Sequence, residues 1–200
     1  MVKKLFYFLL AITFLIALYL TIFELLLHSF HAPFNGTIKD PIVHDTTWSY
    51  LIEQEYITFI ELDLFNIYEK RHLLDVKKVL ENSYSLWLYF SSLSLLILTI
   101  VIITSKNTLK IVSQYMVNLG IISLLILLGS SFNFLNTFNL FHSFFFTQNS
   151  WMFPKESLLI ETFPLRYFQE FFLLFLVLTF LVLIFLKFYA KISDENFNNR

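Results

Sequence analysis

Two histidines, far apart in the chain, are the side chains best suited to move protons near neutral pH. His72 lies in Glu69-Lys70-Arg71-His72-Leu73-Leu74-Asp75-Val76-Lys77. On a helix, the i,i+3 spacing makes Glu69 and Asp75 neighbours of the imidazole. A carboxylate there can fix the ring's tautomer and favour its charged form. The plainer reading of the same spacing is a solvated helix face with a histidine ion pair. His142 lies in Asn139-Leu140-Phe141-His142-Ser143-Phe144-Phe145-Phe146-Thr147-Gln148-Asn149-Ser150-Trp151, amid aromatic neighbours. Burial there disfavours the imidazolium and lowers its pKa. The plainer reading is an aromatic belt at the level of lipid headgroups with an incidental histidine.

Other reactive-looking residues have weaker claims. Ser143 beside His142 lacks the Gly-x-Ser-x-Gly elbow of a serine nucleophile. Glu24 stands four residues before His28 near the end of an apolar run, where a pair wetted at the interface is expected. His31 and His44 fall in a turn-rich loop and are expected to be solvated. Asn35-Gly36-Thr37 fits the glycosylation pattern but reads as a plain turn. There is no cysteine, which excludes disulfides, thiolate metal ligands and an acyl-cysteine intermediate.

The elements that must position these residues are membrane spans. Four apolar runs, about 5–26, 84–104, 111–132 and 167–189, each have the roughly 20 residues a helix needs to cross about 30 Å of hydrocarbon. Only helices or closed barrels span lipid, since backbone polar groups must be satisfied internally. Composition agrees: 57% of residues are hydrophobic, 14% are charged and 26 are phenylalanine. The first run exceeds the length of a secretory signal, and no clear cleavage site comes after it, so it reads as retained. A net charge of −1 gives no field to recruit nucleic acid.

Lys3, Lys4, Lys106, Lys110, Lys187, Lys191 and Arg200 crowd the two termini and one short turn. By the positive-inside bias both termini should be cytoplasmic. The longer segments, 27–83 and 133–166, then face outward. In the first of these, Asp40-Pro41 marks a turn, and Asp45 or Thr46 can cap a short helix reaching Tyr56. Ile60-Glu61-Leu62-Asp63-Leu64 alternates as a half-buried strand does. Asn66 can cap a helix over Ile67–Glu81. The fold expected is an all-α membrane protein: a four-helix transmembrane bundle with a small extracellular α+β cap, all one domain.

Taken in order, His72-x-x-Asp75-Val76-Lys77, Phe141-His142-x-x-Phe145-Phe146-x-x-Asn149-x-Trp151, Leu159-Ile160 and Pro164 resemble the bacterial lipoprotein intramolecular transacylase family. The resemblance covers nearly the whole chain. Leu73 departs from it, since methionine is common there, but that position should pack rather than react. The family reaction implied is transfer of the sn-2 acyl chain of a diacylglyceryl-cysteine to that cysteine's α-amino group. It leaves a lyso-form lipoprotein and takes place on the outer leaflet of the bacterial cell membrane. The two essential histidines of the family fall on His72 and His142.

That chemistry needs no cofactor and no metal; its partners are a diacylated lipoprotein and membrane lipid. His142, neutral in an apolar setting, is expected to be the base. His72, held charged by Asp75 and Glu69, is expected to be the acid or an electrostatic stabiliser. Arg71, Asn149 and Trp151 are candidate donors to the oxyanion or the substrate. Two other classes stay open. One is a metal-dependent membrane hydrolase built on His72, His142 and a carboxylate, which lacks the His-Glu-x-x-His spacing. The other is a non-enzymatic partner or carrier, which should place polar residues at mid-span.

Overall fold

In a computed structural model, residues 2–34, 38–52, 64–104, 106–147 and 149–198 are described. Among these residues seven helices run in order: α1 (Val2–Ser29), α2 (Pro41–Ile52), α3 (Ile67–Thr104), α4 (Lys106–Ser131), α5 (Phe134–Phe145), α6 (Leu158–Thr162) and α7 (Leu165–Asn198). Four of them, α1, α3, α4 and α7, are long and apolar enough to cross a membrane. Less than a third of each apolar stretch is buried inside the chain, so most of that surface is turned outward, as lipid-facing helices require. The chain is a multi-pass helical membrane protein.

Two compact units emerge, each drawn from several parts of the chain. One comprises residues 1–24, 85–129 and 175–200 and is a bundle of the four spans. Leu10 and Ala11 of α1 pack with Val112 of α4, against Ile97 of α3. Tyr19 and Ser123 share a hydroxyl hydrogen bond, and the Trp87 indole donates to Thr21 Oγ1 at 3.1 Å. Gly120 lets α4 approach α7: a Cβ there would lie 2.6 Å from Leu183 Cδ2. Small residues at such contacts are how helices pack where lipid removes the hydrophobic drive.

The second unit comprises residues 25–84 and 130–174. Aromatic rings dominate its interior. Tyr167 packs on Phe30 with centroids 5.3 Å apart, and its hydroxyl donates to Phe30 O at 3.0 Å. Lys77 lies 4.4 Å above the Tyr50 ring. α2 starts earlier than its sequence suggested. Asp40 is its cap, with Oδ1 accepting from the amides of Ile42 and Val43, and Pro41 takes the first helical position, where a missing N–H costs nothing.

Three further expectations are corrected. The strand at Ile60–Leu64 lies outside the described residues except for Leu64, which sits in a turn. No strand occurs among the described residues, so an α+β cap is not supported; a single alternating stretch has no second strand to pair with. The separate helix at Ile67–Glu81 and the span starting at Tyr84 are one 38-residue helix, α3. At 1.5 Å per residue it is nearly twice as long as the hydrocarbon is thick. Its first half carries Glu69, Lys70, Arg71, Asp75, Lys77, Lys78 and Glu81 and lies outside the spanning part. Finally, Glu24 and His44 are not wetted: they are 7% and 0% exposed. His44 is enclosed by Trp48, Phe163 and Tyr167 because α2 turns Val43, His44, Thr47, Trp48 and Leu51 to one buried side.

Candidate active site

Glu69 shows how the second unit is tied together around His72. It is 2% exposed and caps two helices at once. At the start of α3, Asn66 Oδ1 accepts from the amides of Tyr68 and Glu69, while Glu69 Oε2 accepts from Asn66 N at 2.9 Å. That reciprocal pair is a capping box with asparagine in the serine position. The other oxygen, Oε1, accepts from the Ser157 hydroxyl and from Leu159 N at the start of α6. A buried carboxylate is tolerated because three donors and two helix N-termini meet it.

Glu69 therefore faces Ser157 and Leu159. Expected as an orienting or supporting residue, Glu69 spends both oxygens on these amides and this hydroxyl rather than on the imidazole, so any support it gives His72 runs through the helix start it caps. Asp75 is half-buried; its nearest cation is Lys78, at 4.0 Å. It makes no hydrogen bond to His72, whose Nδ1 is buried without any partner among the described residues. Asp75 acts on the imidazole through space alone.

One turn along α3 from Glu69, the His72 ring meets His142, which projects from the last turn of α5. The ring centroids are 6.1 Å apart and the planes are inclined by only 26°. The histidines are 7% and 8% exposed. Phe146 lies 4.8 Å from His72 and 5.3 Å from His142. Phe153 lies 5.6 Å from His72. Phe138 is 3.9 Å and Trp151 4.9 Å from His142. α5 itself is set by Asn133, whose side chain accepts from Asn136 N, and it ends where Phe146 N donates to His142 O.

Of the residues expected in the site, the structure brings together His72, His142 and Trp151. Arg71 is exposed and makes none of the contacts that join the rings. Asn149 is exposed in a turn with φ 59°, a left-handed conformation that asparagine tolerates well. Phe138 and Phe153 line the pair but were not singled out by sequence, and Phe146 stood only within the family motif with no role given to it; in a chain with 26 phenylalanines their type carries no signal. Ser157 was also missed, and only the Asn66-x-x-Glu69 spacing hinted that Glu69 belongs to a helix start.

The electrostatics revise the roles. Burial, reinforced by the neighbouring His142 and opposed by Asp75, pushes His72 down to about 4. Burial also lowers His142, against the bond to the Phe138 carbonyl. His72 is therefore not held charged, because loss of water outweighs a carboxylate that does not touch it. His142 Nδ1 lies 2.9 Å from Phe138 O and, facing a carbonyl, must carry the proton. That leaves the Nε2 lone pair to accept one. Two neutral imidazoles in an aromatic pocket can take a proton from one group and give it to another. Asp75→Asn should accordingly change turnover by no more than about tenfold, well short of the ~10⁴-fold seen when an acid hydrogen-bonded to its histidine is lost. Rates for the folded variant check this, and a loss of several hundredfold would mean direct contact during catalysis.

Fold and site thus define a multi-pass helical membrane protein with a buried histidine pair. A family model described as lipoprotein intramolecular transacylase Lit matches residues 3–168. The chain belongs to the lipoprotein intramolecular transacylase family. It is similar to the solved in meso structure of the membrane integral lipoprotein intramolecular transacylase Lit from Bacillus cereus, with a TM-score of 0.65 and 21% identity. The match covers 94% of this chain and 91% of that one, and at this identity it speaks for the fold. No curated protein matches the sequence significantly.

Proposed function

We propose that this chain moves the sn-2 acyl chain of a diacylglyceryl-cysteine lipoprotein to the α-amino group of that cysteine, at the outer face of the cell membrane with both termini cytoplasmic. The observation that carries the reading is the buried, neutral pair His72–His142 in a member of this family. In the reaction the amine nitrogen forms a bond to the ester carbonyl carbon, and the bond from that carbon to the glycerol oxygen breaks. The proton lost by the amine goes to His142 Nε2. The same proton is then passed from His142 to the departing glycerol oxygen, directly or by way of His72, which steadies the departing oxygen. The proton count closes within the cycle, so each ring ends as it began. Amine and ester belong to one molecule, and their orientation can supply roughly 7–11 kcal/mol. The Trp151 indole N–H, on the ring beside His142, is the donor this reading assigns to the developing oxyanion.

Expression in a host that makes only diacylated lipoproteins tests the reading. Mass spectrometry of a lipoprotein N-terminal peptide should show one acyl chain moved to nitrogen; an unchanged diacylglyceryl peptide beside well-folded protein would refute it. A metal-dependent hydrolase is not favoured, because the family model that the chain matches is that of a transacylase.

A pH profile can be derived from the lowered histidines. His72 is neutral above about pH 4, and His142 is neutral from below its ordinary value of about 6.5 upward. Protonation of either ring should remove activity only in acid. The substrate amine, with a pKa of roughly 7.7–8, is the group that must lose a proton near neutrality. kcat/KM should therefore rise with pH up to about 8 and then level, with no inflection near 6.5. An inflection there would place a solvated histidine in the mechanism.

A further inference from the structure

We propose that α5 lies in the plane of the membrane interface, with Leu140, Phe141 and Phe144 inserted among lipid acyl chains. Chain connectivity comes first. α4 ends at Ser131 and α5 begins at Phe134. With only Phe132 and Asn133 between them, Phe134 lies within roughly 10 Å of the end of a span. The start of α5 is thereby held at the membrane surface.

Composition comes second. Phe134–Phe145 contains no Asp, Glu, Lys or Arg. His142 and Phe138 turn to the site, while Leu140 is 71%, Phe144 82% and Phe141 50% exposed. At roughly 100° per residue these three occupy one arc of the helix; Thr137 lies within it with its hydroxyl donating to Ser130 O at 2.8 Å, and Asn136 and Ser143 border it on one side. Phe132, just before the helix, is 88% exposed. Such a stripe left in water is a standing liability. An apolar arc with a narrow polar border is what an interfacial helix presents, buried some ~5–10 Å into the boundary between headgroups and acyl chains.

The outward apolar faces of the spans require lipid cover, and α5 begins just past the end of one of them. The occupant is therefore lipid rather than a second protein. A consequence, resting on the proposed function, is that α5 holds His142 at the depth where glycerolipid ester carbonyls lie. The acyl donor then reaches the ring sideways from the leaflet.

The chain has no cysteine, so single probes can be placed in the full-length protein. Leu140→Cys, Phe144→Cys and Ser143→Cys would be labelled with an environment-sensitive fluorophore in phosphatidylglycerol nanodiscs. Probes at 140 and 144 should be quenched by lipids nitroxide-labelled high on the acyl chain, and should be shielded from aqueous iodide on the order of fivefold better than the probe at 143. Equal iodide access at 144 and 143, with no quenching by labelled lipid, would overturn the proposal. So would shielding from iodide and lipid alike, with disulfide cross-links forming between copies of the unlabelled Phe144→Cys variant, which would mark a protein interface. The readout does not depend on acyl transfer, so it can fail while the proposed reaction stands.

Discussion

His72→Ala and His142→Ala should each reduce formation of N-acylated lyso-lipoprotein by about 10³-fold or more, and the double variant should be no worse than either single. The reason lies in the geometry: two neutral rings 6.1 Å apart share one proton cycle, and groups acting as a unit lose their effect together. Neither change should unfold the protein. His142→Ala leaves Phe138 O without the imidazole hydrogen bond, while His72 has no such bond at Nδ1 to lose. Product quantified by mass spectrometry, with melting temperatures alongside, separates chemistry from folding. Near-normal turnover in either alanine variant, or losses that multiply in the double variant, would show that the rings do not act as one site.

Glu69→Ala should be the most destabilising single change in the second unit. It strands the buried amide of Leu159 and removes the acceptor of the Ser157 hydroxyl and the Asn66 amide, at a cost of about 2–4 kcal/mol. The starts of α3 and α6 loosen together, and His72, one turn away, shifts with them. Glu69→Gln keeps acceptor oxygen and should lose less. Thermal unfolding in detergent or nanodiscs measures both, with the pH–rate profile as a second readout. If Glu69→Gln kept full stability yet moved the profile, the carboxylate would be acting on His72 by its charge rather than as a cap.

The sequence carried the spans well, because bilayer thickness fixes both length and composition. It divided α3 into two helices. The change from charged to apolar residues near Tyr84 resembles a boundary, yet no glycine or proline interrupts Ile67–Thr104, so the helix simply continues. At Asp40-Pro41 the same residues serve a turn or a helix start, and the residues after them decide between the two. The histidine pair was legible as two candidates through family resemblance. Its closeness was not legible, because the rings stand at positions 72 and 142 and no local pattern encodes an approach across that much chain. The charge state of His72 was misread for a related reason. The i,i+3 spacing shows which carboxylates can reach the ring, but not that Glu69 is already claimed by Ser157 and Leu159.

The Glu69 clamp also sets an order of assembly. Its two partners at α6 lie 88 and 90 residues further along the chain. During synthesis Glu69 is made long before them, and α4 and α5 must be made before Ser157 and Leu159 arrive. Until then one oxygen of the carboxylate has neither of these donors, and His72 waits for its partner ring. The reactive pocket is therefore among the last parts of the chain to close, after three of the four spans have been made. A chain stopped short of Ser157 holds both histidines but lacks the fastening between them.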